Sequence, residues 1–264
     1  MNNHNYTDVY EVLLELFLVL PFVIALFIYP VAVLLSNRHY KRWPLYRTAC
    51  WLIGVLCAII SIVDPLANHA HNDFKFHMVG HLLLGMLAPL LMVLAAPMTL
   101  FLRTLHVKWA RQLIRVLKSW PCRFLSDPIV ASLLNIGGLW ILYTTDLYAA
   151  MLQNSLLHLL IHKHVFLAGY LFTISMIYID PTPHRRSFIY RGIVFVIALA
   201  SHQILSKYIY AYPPTGVSTA EAEIGGMLMY YGGDAIDMMI ILIFCRHWYK
   251  ATRPRVSVNR TIGS

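Results

Sequence analysis

The run Glu11–Ser36, EVLLELFLVLPFVIALFIYPVAVLLS, decides the fold class. About 20 apolar residues in a helix cross the hydrocarbon of a bilayer, and this run is longer than that. Its apolar residues follow one another without alternating, which excludes a barrel strand. In lipid a spanning segment must then satisfy its own backbone as a helix. Six more stretches read the same way: Thr48–Val63, His77–Leu102, Ile129–Ala149, Leu157–Ile179, Ile189–Tyr210 and Gly225–Cys245. The whole chain is 59% hydrophobic and 12% charged, with a mean hydropathy of +0.62. A soluble domain has too little interior for that composition. The expected fold is an all-α integral membrane protein, a bundle of seven transmembrane helices over residues 1–249. The tail 250–264 is polar and basic and reads as disordered.

The basic residues orient the bundle. Arg38, Lys41, Arg42 and Arg47 follow the first span, and Arg103, Lys108, Arg111, Arg115, Lys118 and Arg123 follow the third. Arg185, Arg186 and Arg191 follow the fifth, and Arg246, Lys250, Arg253, Arg255 and Arg260 follow the seventh. Eighteen of the 21 Lys and Arg thus lie on one side, leaving Lys75, Lys163 and Lys207 for the other. The positive-inside rule puts the N-terminus outside and the C-terminus in the cytoplasm. The net charge of +9 then answers anionic lipid head groups, and no nucleic-acid partner is implied. Met1–Tyr10 lacks a basic n-region, so the first apolar run reads as a span and not as a signal peptide. Cys50, Cys57, Cys122 and Cys245 form no CxxC and are not placed for an external disulfide.

The long cytoplasmic loop carries an amphipathic segment at about 104–120. Leu105, Trp109, Leu113, Val116, Leu117 and Trp120 fall on one side of a helical wheel, and Lys108, Arg111, Arg115 and Lys118 on the other. That is the pattern of a helix lying in the head-group plane.

With this orientation, nine of the thirteen histidines face outward: His4, His69, His71, His77, His81, His158, His162, His164 and His202. Imidazole is a common metal ligand and costly to bury in lipid. Residues four apart share a helix face, so His77 and His81 pair, as do His158 and His162. Two such pairs on neighbouring helices would offer three or four imidazoles around a common centre. His164 lies on another face of its helix and suits a second site or a supporting bond. His202 sits about two turns inside the sixth span. Met78, Met86, Met227 and Met229 add thioethers nearby. A His/Met set without cysteine, facing an oxidising compartment, suits copper, admits zinc and disfavours calcium or magnesium. The candidate metal ligands are therefore His77, His81, His158, His162, His164, His202, Met78 and Met229. His4, His69 and His71 read as interfacial residues.

Asp234 and Asp237 fall inside the seventh span, where a carboxylate costs about 2.5–3.5 kcal/mol. They should face the interior, protonated or paired, with Lys207 or a tyrosine as candidate partners. Pro21, Pro30, Pro89 and Pro97 should kink their helices, and Gly232-Gly233 should allow close helix approach.

At these residues the chain resembles the bacterial CtaG-type assembly proteins of haem-copper cytochrome c oxidases. The resemblance runs from about Asp64 to Cys245. It rests first on Phe76–Pro89, FHMVGHLLLGMLAP, similar to the family's HMxxHLLLxMxAP stretch. His158–Phe172 leading to Asp180-Pro181-Thr182-Pro183, then His202, then Gly225–Tyr230 carry the rest. Two positions depart from the pattern: Ala222-Glu223-Ile224 replaces an Asp-Gln pair, and Tyr230 replaces a Trp. The resemblance implies a non-enzymatic assembly factor of the bacterial inner membrane that helps oxidase maturation by delivering copper to oxidase subunits. Membrane lipids are the other expected partner, and self-association stays open. The residues alone also admit a haem-binding electron carrier, a membrane metal-dependent oxidoreductase or a transporter. Against the last, the cytoplasmic half is poor in ligands.

Overall fold

The structure, a computed structural model, describes residues 3–63 and 73–254. Its elements in chain order are α1 (Asn3–His39), α2 (Leu45–Ile62), α3 (Phe74–Leu94), α4 (Pro97–Thr104), α5 (Val107–Leu117), α6 (Trp120–Leu125), α7 (Pro128–Thr144), α8 (Leu147–Gln153), α9 (Ser155–Met176), α10 (Phe188–Ala211) and α11 (Thr219–Thr252). No strand occurs among the described residues. Among the described residues six helices are long and apolar enough to cross a membrane, and a seventh span arises if the bent pair α7 and α8 is counted as one. The chain is a multi-pass helical membrane protein.

Helix α3 lies at the centre. In its most apolar stretch 56% of the residues are buried, against 22% in α1. It packs on α2, α9 and α11, while α1 covers α2, α4 and α9, and α10 pairs with α11 along their lengths. Leu16, Phe17, Phe27, Leu34, Ile193, Val196, Ile197 and Leu242 point outward, the expected state of side chains that meet lipid. Close approach comes from glycine. A Cβ on Gly169 of α9 would lie 2.0 Å from the Gly85 carbonyl oxygen of α3, and one on Gly226 of α11 would lie 2.9 Å from the Ser206 carbonyl oxygen of α10. Small residues at such crossings are what holds membrane helices together.

Two spans are shorter than the hydropathy implies. The third, expected over His77–Leu102, ends at Leu94. Proline disfavours the α conformation in the residue before it, and Ala96 turns left-handed at φ 53° before Pro97 starts α4. The turn is held from both sides. Tyr29 donates to the Ala95 carbonyl at 2.7 Å and accepts from the Trp43 indole at 3.0 Å. Asp180, from the Asp-Pro-Thr-Pro stretch, accepts from Met98 N at 3.0 Å, Thr99 N at 2.8 Å and Thr99 Oγ1 at 2.5 Å. It satisfies backbone donors of α4 that have no partner within the helix. Asp180→Ala is therefore expected to cost about 1–2 kcal/mol, read as a lower unfolding temperature in detergent. An unchanged temperature would remove the capping role.

The fourth span, expected as one run over Ile129–Ala149, breaks between Thr144 and Leu147 and bends by 80°. Thr144 and Thr145 hydroxyls each take the carbonyl four residues back, at 2.6 Å, and Thr145 is extended at φ −122°, ψ 175°. Such local bonds compete with continued helix. The turn sends α8 sideways, which brings Tyr148 into the core.

The remaining differences are at ends. The amphipathic segment expected at 104–120 divides into α5 and α6, with no buried residue in either. Trp109, Val116 and Trp120 stand exposed. Pro21 and Pro30 lie inside an unbroken α1. Helix α11 carries Lys250 through Thr252, so the helix extends into the expected tail, and residues 255–264 lie outside the described residues. Arg191, counted from sequence among the basic residues on the cytoplasmic side, is in the first turn of α10 and buried. It donates to the Met176 carbonyl at 2.5 Å and stacks 4.1 Å from the Tyr178 ring.

Candidate functional site

Helices α3, α7, α8, α9, α10 and α11 meet around a string of histidines at one end of the bundle. Near that end His158 and His162 of α9 lie one above the other, rings 3.9 Å apart. His162 donates from Nδ1 to the His158 carbonyl at 2.9 Å, since a carbonyl can only accept. Its ring centre is 6.5 Å from that of His77 on α3. His77 is buried, with Nε2 3.0 Å from the Tyr143 hydroxyl and Tyr148 packed 5.0 Å away. One turn further along α3, His81 faces His202 of α10 at 6.4 Å, with Tyr143 also 6.4 Å away.

Two cavities follow this string. One is lined by His77, His81, Tyr143 and His162. A deeper one is lined by His81, Asn135, Thr173, His202 and Asp237 among apolar residues. His81 belongs to both. The deeper cavity is bounded by two π-helical turns, Leu82–Leu87 in α3 and Leu133–Gly137 in α7. Such turns are rare and frequent at functional sites. His81 Nε2, His202 Nδ1 and His202 Nε2 are buried and have no hydrogen-bond partner. A buried polar atom left unpaired costs about 1–3 kcal/mol, so these three nitrogens need a purpose.

The expectation of a common centre is replaced by this linear arrangement. Among the described residues no three of His, Cys, Asp and Glu converge closely enough to hold one ion. His77, His81, His162 and His202 are brought into one series, with His158 stacked on His162 at the end away from His202. His164 is not in it. Exposed on another face of α9, it donates from Nε2 to the Leu134 carbonyl at 3.0 Å, and a Cβ on Gly138 would lie 2.6 Å from that nitrogen. Met78 and Met229 are wholly buried in the apolar cluster that includes Phe74, Tyr143, Tyr148 and Leu205. Met86 lines the deeper cavity. His69 and His71 lie outside the described residues.

The carboxylates differ from their expected pairing. Asp234 accepts from the Gln203 amide, and Lys207 lies over the Tyr230 ring at 5.4 Å. Asp237 is 4% exposed and faces the deeper cavity. The sequence reading missed Tyr143, Tyr148 and Asn135. Asn135 could have been found, as an amide in the middle of the apolar run Ile129–Leu142. The tyrosines could not, because the bend that turns Tyr148 inward is invisible to hydropathy.

Comparison with known proteins gives two kinds of likeness. Uncharacterized proteins of Mycobacterium leprae and Mycobacterium bovis are 31% and 32% identical to this chain over 169 residues, 61% of its length. An uncharacterized protein of Mycobacterium tuberculosis is likewise 32% identical over 169 residues. The matched part spans about a quarter of each of those longer proteins, 26%. No solved structure matches. Residues 27–251 match the family described as cytochrome c oxidase caa3 assembly factor (Caa3_CtaG) and take in every histidine of the series. With its central helices, both cavities and the helices α2 to α10 inside that match, the chain belongs to the cytochrome c oxidase caa3 assembly factor family.

Proposed function

We propose that this protein assists oxidase assembly by carrying copper as its cargo, taken up at the outer face of the bacterial inner membrane and passed to an oxidase subunit. The observation that carries the reading is the line of four imidazoles across α3, α9 and α10, with three buried ring nitrogens lacking partners. In a bundle interior such nitrogens are expensive unless something else uses them. Neutral imidazole binds copper well, and a set without thiolate lets the ion leave again. Distribution of Lys and Arg supports placing this end outside, where copper would be met and handed over.

His77, His81, His162 and His202 are the central ligands of this reading, and His158 is a further one at the outer end. Met78 and Met229 flank the cluster, while His164 supports α7 through its backbone bond. The test is metal content after copper loading and dialysis, in the purified protein and in a His77/His81/His162/His202→Ala variant. Copper is expected in the first and absent from the second. Equal copper in both would place binding elsewhere in the chain.

A further inference from the structure

Resting on that copper reading, we infer that the holding site is the pair His81 and His202 in the deeper cavity, and that it takes a single cuprous ion in two-coordinate fashion. Four observations lead there. First, of the histidines in the series only these two have buried ring nitrogens without partners, one on His81 and both on His202. Second, their spacing fits one intervening ion. With metal–nitrogen bonds of about 2 Å, two imidazoles facing each other across an ion have ring centres roughly 6 Å apart. The observed separation is 6.4 Å.

Third, no third His, Cys, Asp or Glu joins the pair at ligand distance among the described residues; Met86 also lines the cavity, and a sulfur neighbour in the wild-type protein would add it to the pair and overturn two-coordination. Zinc and cupric ions favour four or more ligands and would be left under-coordinated. A closed-shell monovalent ion accepts two. Fourth, charge balances. Among the described residues Asp237 is the one carboxylate lining this cavity, four residues beyond Gly233, whose Cβ position is 2.6 Å from the His202 ring. One carboxylate offsets one positive charge; a divalent ion would keep an uncompensated charge within hydrocarbon.

The outer cavity then serves as the approach. His162 and His77 stand before it and His81 lines both spaces, so an ion passing inward exchanges one imidazole at a time. Gly233 and Gly85 leave room for the rings: a Cβ on Gly85 would be 3.3 Å from His81 Nδ1.

The experiment uses the full chain in nanodiscs, loaded anaerobically with Cu(I) and desalted in the presence of a Cu(I) chelator. Retained copper is counted, and its coordination is read from the copper K-edge. The expected result is one ion per chain, with the edge feature of two-coordinate Cu(I) and nitrogen neighbours. His81→Leu and His202→Leu should retain none. His202→Met should retain it with a sulfur neighbour. Leu and Met have similar volume, so a packing defect would affect both alike and only ligation separates them.

Copper retained at wild-type level by both Leu variants overturns this assignment and leaves copper carriage standing, with the ion then sought at His77 and His162. A three- or four-coordinate ion, or preferential retention of Zn(II), also overturns it. A wild-type protein that retains no copper removes both this inference and the reading it rests on.

Discussion

Gly169→Ala is expected to abolish accumulation of folded protein. The added methyl would lie 2.0 Å from the Gly85 carbonyl oxygen and 3.0 Å from its carbon. Both are backbone atoms of the π-helical turn in α3, so no side chain can rotate away. Either α9 or α3 must move by about an ångström, and interiors packed like crystals do not absorb that locally. Overpacking costs about 1–3 kcal/mol where side chains can yield, and here they cannot. The contact also joins the two central helices that carry His77, His81, His158 and His162. Gly137→Ala is the control, since a Cβ there meets nothing within 4 Å. It should fold normally, even gaining a little from reduced freedom of the unfolded chain. Size-exclusion profiles of the two variants in detergent would decide the matter. A monodisperse Gly169→Ala peak at wild-type yield would show that α3 and α9 can separate without loss.

The spans were legible because apolar runs of membrane length have few other readings. All seven expected runs correspond to helix in the structure, with the third broken at Ala95-Ala96 and the fourth bent. The breaks were less visible. Pro97 in the sequence announces a disturbance, but the left-handed Ala96 depends on bonds that span 66 and 82 residues, from Tyr29 to Ala95 and from Met98 to Asp180. Thr144 and Thr145 likewise look like ordinary span-end residues until their hydroxyls are seen closing on Trp140 and Ile141.

For the site, spacing selected the right helices but not the right grouping. The i, i+4 rule pairs His77 with His81, and the structure separates their roles. His77 turns to Tyr143 and His162, and His81 to His202. A helical repeat gives a face, while tertiary packing decides which neighbour each member of that face meets. The π-helical turn beginning just after His81 is part of that decision, and nothing in the periodicity of Phe76–Pro89 announces it.

His81→Leu is expected to leave the protein as stable as before, or more so, and yet to reduce cytochrome c oxidase activity to the level of a strain lacking the protein. Ordinary buried histidines contribute bonds, and removing one leaves its partner unsatisfied. His77→Leu would behave that way: the buried Tyr143 hydroxyl would lose its 3.0 Å contact, at a cost of about 1–3 kcal/mol. His81 Nε2 has no partner to orphan. Replacing a buried unpaired polar group by an apolar one of similar size is neutral or stabilising. A residue that lowers stability by its presence is retained for function, because local physical rules are broken mainly at functional sites. If copper carriage is that function, the oxidase polypeptides should still be made and inserted, and activity per polypeptide should fall. The measurements are thermal unfolding of the purified variant, and oxidase activity beside immunodetected oxidase in cells carrying it. A variant that unfolds earlier than wild type would make His81 structural. One that is stable while oxidase activity stays normal would take His81 out of the assembly route. Stability preserved with activity lost is the combination expected of a working ligand.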